Sequence, residues 1–158
     1  MRGNPGVVDF LNKAVRHELT AINQYWLHYR LLDNWGYKSL AKQWRKESIE
    51  EMEHADKLIE RIIFLDGIPS VDVGLKPQLG SKVPEQMEIN LKDELDAVRQ
   101  YNEAVRICTE AGDEGSKALF EGMIRDEERH ADFLEAQLHG IKELGIANYL
   151  AQQLRDEK

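Results

Sequence analysis

Six residues have the types and spacing to hold metal ions. Glu51-x-x-His54 and Glu127-x-x-His130 each set a carboxylate and an imidazole three residues apart, so on a helix the two share a face. Glu18 stands seven residues from both Leu11 and Tyr25, and Glu94 seven from both Met87 and Tyr101, each in the middle of an apolar stripe. Four carboxylates turned into one core repel one another and lose hydration worth roughly several kcal/mol each. Protonation, pairing with basic side chains or coordination of cations would relieve this. No Lys or Arg falls on these inward faces near the same level. Two divalent ions would balance the four charges. Carboxylate with imidazole suits iron or manganese, and zinc can also bind. A single Glu-x-x-His on a helix is common and carries no such meaning alone.

The set is not single. Glu18-x-x-Ala21-x-x-Gln24-Tyr25 recurs as Glu94-x-x-Ala97-x-x-Gln100-Tyr101, and Glu51-x-x-His54-Ala55-Asp56 recurs as Glu127-x-x-His130-Ala131-Asp132. The offset is constant, since 94 − 18 and 127 − 51 both equal 76, and Gly36 and Gly112 obey it too. This predicts two copies of one helical hairpin related by a pseudo-two-fold axis. In an antiparallel hairpin, residues equidistant from the turn lie side by side. The turn near Gly36 is midway between 18 and 51, and the turn near Gly112 midway between 94 and 127, so all six donors are expected at one level.

The elements that must position them follow from punctuation and period. The prolines are Pro5, Pro69, Pro77 and Pro84, and the stretches between Pro5 and Pro69 and after Pro84 carry apolar residues at helical spacing. Helices are expected at roughly 5–35, 38–65, 84–111 and 115–144, with a short one at 146–155 after Gly145. Residues 67–83, with Gly67, Pro69, Gly74, Pro77 and Gly80, read as a loop. At about 3.3 Å per residue such a loop can run the length of a long helix. No segment alternates like a strand. The fold class is all-α: a four-helix bundle with one long crossover loop and a short C-terminal fifth helix, in one domain spanning 1–158. Two Glu-x-x-His motifs with one further Glu from each remaining helix is the established donor set of dinuclear carboxylate bundle proteins.

Composition narrows the function classes. The chain has 158 residues, 42% of them hydrophobic, enough for one cored domain. A formal charge of −8 argues against a nucleic-acid binder working through a basic face. No run of about 20 apolar residues exists to cross a membrane, and Met1 to Pro5 lead into an amphipathic segment rather than an apolar leader. One cysteine, Cys108, excludes a disulfide framework and a cysteine-ligated zinc site, and a reducing cytoplasm is the expected compartment.

With these residues in view, the sequence resembles the bacterioferritins over essentially its whole length. Leu11-Asn12-Lys13, Ala21-Ile22-Asn23-Gln24-Tyr25, Glu50-Glu51-Met52-Glu53-His54-Ala55-Asp56 and Asn148-Tyr149-Leu150 carry the resemblance beside the six donors. It implies a ferritin-like fold and a ferroxidase: Fe(II) is oxidised by dioxygen or peroxide at an intra-subunit di-iron centre, and ferric mineral is stored in a 24-subunit cage built from two-fold dimers. Glu51 and Glu127 match the bridging carboxylates. Glu18 with His54, and Glu94 with His130, match the terminal ligands. Tyr25 lies near the ligand face, either hydrogen-bonding a carboxylate, supplying an electron or simply packing. Met52 lies about 200° around its helix from His54, on a face with Arg45, Ile49 and Ile59. Chemistry alone makes it an interface residue. The resemblance makes it an axial ligand to haem b, one haem per two subunits, with a small ferredoxin as electron donor for iron release.

There are departures. Where some members carry a histidine and an aspartate at an extra iron site on the cavity wall, this chain has Lys46 and Glu50, and Arg45 replaces a tyrosine. Glu50 retains a weak ligand there and Lys46 does not. Glu47 either backs the ligands or lines a path by which metal arrives. Asn34, Asp66, Asp132 and His139 match positions of a pore between subunits and are equally ordinary helix-end or surface residues. His17 and His28 lack a repeat partner and are expected to be structural. Three rivals stand beside this reading: a rubrerythrin-like peroxidase, which normally needs a second, cysteine-ligated iron domain; a di-iron oxygenase of this fold, which is usually larger and presents a substrate cavity; and a haem electron carrier with a vestigial metal site.

Overall fold

The computed structural model describes residues 1–72 and 76–155; residues 73–75 of the expected crossover loop and 156–158 of the expected solvated tail lie outside the described residues. The described residues form five helices: α1 (Pro5–Trp35), α2 (Lys38–Phe64), α3 (Val83–Glu110), α4 (Glu114–Leu144) and α5 (Ile146–Gln153). Among the described residues there is no strand. Among the described residues, no helix is long and apolar enough to cross a membrane.

Local chemistry sets the helix ends. The Asn4 side chain accepts from the amides of Gly6 (2.8 Å) and Val7 (3.3 Å), and Pro5 occupies a first-turn place where no amide partner is needed. Pro84 plays the same part in α3. Gly36 closes α1 at φ 90°, and Gly112, at the same place in the second hairpin, has φ 69°; both need the left-handed backbone that glycine adopts freely. The Asp113 carboxylate caps α4 by accepting from the Ser116 amide at 2.9 Å.

Helix α1 packs along α2 and α3 along α4, and the two hairpins meet chiefly through α1 and α3. The core falls into two apolar clusters. One gathers Leu11, Val15, Leu58, Ile62, Cys108 and Phe120; the other gathers Leu32, Leu40, Trp44, Met87, Leu134 and Tyr149. On each helix the donor residues lie in sequence between the two clusters, so a polar layer crosses the bundle at mid-height. The crossover connection is tied to the bundle by side chains. Asn12 accepts from the Ser70 amide (2.8 Å) and donates to the Ile68 carbonyl (3.2 Å), while Gln24 and His28 accept from the amides of Gln78 (3.2 Å) and Gly80 (3.0 Å). The fold class expected from the sequence is borne out.

Candidate metal centre

Glu18, Glu51, Glu94, Glu127, His54 and His130 are all buried, one or two from each long helix. Donor atoms of Glu18, Glu51, His54 and Glu127 lie within 4.8 Å of one another, as do those of Glu51, Glu94, Glu127 and His130. Glu51 and Glu127 belong to both sets. His54 Nδ1 is 3.1 Å from Glu127 Oε1 and 3.6 Å from Glu18 Oε2; His130 Nδ1 is 3.2 Å from Glu51 Oε1 and 3.5 Å from Glu94 Oε1. The structure thus brings all six together.

The outer atoms of these groups are satisfied and the inner ones are not. Tyr25 donates to Glu94 Oε1 at 2.6 Å, and Tyr101 donates to Glu18 Oε1. His54 Nε2 meets Asp126 at 2.8 Å, and His130 Nε2 meets Glu50 at 2.6 Å. Facing the centre, Glu18 Oε2, both oxygens of Glu51, Glu94 Oε2, Glu127 Oε1 and both histidine Nδ1 atoms are buried without a hydrogen-bond partner. Buried polar atoms left this way cost about 1–3 kcal/mol each, so a whole inward-facing set is a fit for cations rather than a packing accident. The outer hydrogen bonds also hold each ligand in one orientation, as metal sites require.

The metal-free electrostatics agree. Burial, then repulsion from Glu18, Glu127 and Glu94, pushes the Glu51 carboxyl well above its ordinary range; burial and repulsion from Glu18 and Glu94 do the same to Glu127. Burial opposes ionisation of Glu18, but the close approach of Glu51 and His54 overcomes it and lowers the group to about 2. Burial likewise opposes charging the histidines, yet their carboxylate neighbours lift His54 to about 11 and His130 to about 12. Without metal these shifts favour protonated Glu51 and Glu127 and charged imidazoles at His54 and His130. Divalent ions would take the place of those protons.

Tyr25, offered three roles by the sequence, is buried with its hydroxyl on Glu94. Glu47 is buried, with Oε1 accepting from Gln43 at 2.7 Å and Oε2 2.7 Å from His130 Nε2. Glu50 is only part-buried and meets Arg129 (3.4 Å) and Lys46 (4.0 Å) beside His130. Met52 is 57% exposed on the outside of the bundle, and Ile49, one turn earlier on α2, is exposed as well. His17 packs edge-on against Tyr101, their ring centroids 6.1 Å apart. Sequence reading missed Tyr101 and Asp126 as supports of the centre. The offset contained the signal, since 25 + 76 is 101 and 50 + 76 is 126.

Residues 8–144 match the family model of the ferritin-like domain. The chain is 51% identical over 149 residues to a bacterioferritin of Brucella melitensis, covering 94% of this chain and 92% of that one. The chain belongs to the bacterioferritin family. A bacterioferritin of Rhodobacter capsulatus is 49% identical, covering 92% of this chain and 90% of its own. Among solved structures, the bacterioferritin of Mycobacterium tuberculosis superposes with a TM-score of 0.96 at 40% identity, covering 98% of both chains. The Rhodobacter capsulatus bacterioferritin structure, described with a metal-free dinuclear site and a haem iron in a crystallographic special position, superposes equally well at 45% identity over 100% of this chain and 99% of that one. Bacterioferritin membership and the four-helix fold therefore stand together.

Proposed function

We propose that this bacterioferritin stores and detoxifies iron, acting as a ferroxidase on Fe(II) at an intra-subunit di-iron centre. The carrying observation is the inward-facing set of buried, unpartnered donor atoms at one level of the bundle. Glu18 and His54 would hold one ferrous ion, Glu94 and His130 the other, with Glu51 and Glu127 shared. Two adjacent ferrous ions supply two electrons to one molecule of dioxygen or peroxide, which avoids one-electron reduction products. Tyr25 and Tyr101 keep the outer carboxylate oxygens fixed, and the protons displaced from Glu51, Glu127 and the histidines leave as metal arrives.

The ferric product would be stored inside a 24-subunit cage assembled from two-fold dimers in the cytoplasm. Met52 would hold haem b: its thioether is a soft ligand for the haem iron, on an exposed face that also carries Ile49 and Arg45. The position equivalent to Met52 in the second hairpin is Glu128, so each chain has one such face and two chains would share one haem. When bound, that haem supplies electron transfer for mineral reduction, with a small ferredoxin as donor.

A folded Glu51→Ala, Glu127→Ala variant tests the reading. Its Fe(II) oxidation is expected to fall on the order of 100-fold or more, since each metal position loses both shared ligands. Oxidation at the wild-type rate sinks the ferroxidase assignment. Size-exclusion chromatography with inline absorbance and metal analysis tests the assembly. A particle near 24 subunits with low-spin haem and iron is expected; a dimer with haem and no iron uptake favours an electron carrier instead.

A further inference from the structure

The repeat that builds the centre is broken at one pair beside it. Around His130, Glu47 is 4% exposed, its Oε1 is held by Gln43 Nε2 at 2.7 Å, and its Oε2 lies 2.7 Å from His130 Nε2 yet has no hydrogen-bond partner. The positions equivalent to Gln43 and Glu47 in the other hairpin are Leu119 and Met123, and Met123 lies beside His54. Elsewhere the supports match: Tyr25 with Tyr101, and Glu50 with Asp126. One side of the centre therefore carries an extra buried carboxylate, positioned by its own glutamine, where the other side carries two apolar side chains.

A carboxylate behind a ligating imidazole makes that imidazole a better donor, and its negative charge favours a cation nearby. We propose that Glu47 is a positioning residue that sets the loading order: the first divalent cation settles beside His130 and Glu94, the second beside His54 and Glu18. This rests on the dinuclear reading above. Repulsion between two divalent ions makes the second step weaker whatever the order, so the location of the first ion is the deciding quantity.

The test uses the assembled, metal-free protein and Co(II) as probe. Crystals given one Co(II) per chain are examined by anomalous scattering. In the wild type, occupancy beside His130 is expected to exceed that beside His54 by about tenfold or more. In Glu47→Gln, which keeps the shape and the Gln43 contact, and in Glu47→Met, which installs the repeat's own counterpart, the ratio is expected to approach one. Calorimetry of the same proteins is expected to show the first dissociation constant weakened roughly 10–100-fold. Even occupancy in the wild type, preference for the His54 side, or an unchanged ratio in both variants overturns the proposal. Failure to bind a second Co(II) at saturation overturns the dinuclear reading itself and is a separate result.

Discussion

The α1–α2 hairpin and the α3–α4 hairpin carry the same donors at the same heights, yet their surroundings differ. Each contributes one lone glutamate, one Glu-x-x-His and one tyrosine that reaches across to the other hairpin's glutamate. Beyond that set the correspondence lapses wherever one hairpin has a task the other lacks. His28 holds the crossover connection and has Ala104 as its counterpart; Met52 sits on the exposed strip and has Glu128; Glu47 stands beside His130 and has Met123 beside His54. The repeat persists where the chemistry is shared and breaks where faces meet different neighbours.

The largest expected effect concerns what both halves share. In the metal-free centre burial and mutual repulsion raise Glu51 and Glu127, and the neighbouring carboxylates raise His54 to about 11 and His130 to about 12, so metal competes with protons there. Affinity for Co(II) is therefore expected to rise with pH, by about tenfold per pH unit for each proton released, and by a hundredfold or more if each half releases one. Titrations between pH 6 and 8 in buffers of different ionisation enthalpy measure this directly. A flat profile would mean that the centre is already ionised.

A sharper contrast comes from Glu51→Gln. Burial and three neighbouring carboxylates favour the protonated form of this carboxyl without metal, so an amide of the same shape is a close mimic, and thermal stability without metal is expected to change by less than about 1 kcal/mol. Stabilisation by added Co(II), and Fe(II) oxidation, are expected to be largely lost. A large loss of metal-free stability would show that Glu51 acts as a structural anion.

His28 breaks the equivalence of the hairpins in acid. Burial lowers it to about 4, although the hydrogen bond its Nδ1 donates to Asn90 Oδ1 and a backbone hydrogen bond with Gln78 oppose that shift. Its Nε2 accepts from the Gly80 amide, so a proton there would set donor against donor. The unfolded chain takes up this proton near pH 6.5 and the folded one near 4. Stability from His28 is thus complete above the unfolded value and declines as pH falls through that window, by at most about 3 kcal/mol. In His28→Gln the acid decline between pH 6.5 and 4 is expected to flatten. An unchanged decline would assign it to other groups.

The smallest effect should also be the most symmetric. Tyr25→Phe and Tyr101→Phe each remove one hydrogen bond to a carboxylate. Each is expected to cost about 1–2 kcal/mol of metal-free thermal stability, with the two costs similar. A marked inequality would reveal a second task for one of them.

The six donors were legible because a helix converts spacing into direction: a step of three from Glu51 to His54, of seven from Glu18 to Leu11 and Tyr25, and one offset relating the halves. Burial of a polar residue within an apolar stripe follows from period alone. The partners of those donors were not legible in the same way. Asp126 reaches His54 from α4, and Tyr101 reaches Glu18 from α3. Such contacts depend on how far each helix is rotated about its axis, and no local pattern encodes that rotation. Glu47 shows the limit most plainly: its position four residues before Glu51 marks it as near the ligands without saying which histidine it meets.

By itself, then, the sequence determined the helices, the level of the polar layer and the identity of its donors, because those depend on period, glycine and proline punctuation, and a repeated register. Only the tertiary structure decided which oxygen is satisfied, which is left facing the centre, and that the two sides of one symmetric donor set differ by a buried carboxylate. Those depend on distances of about 3 Å between helices, which packing alone sets.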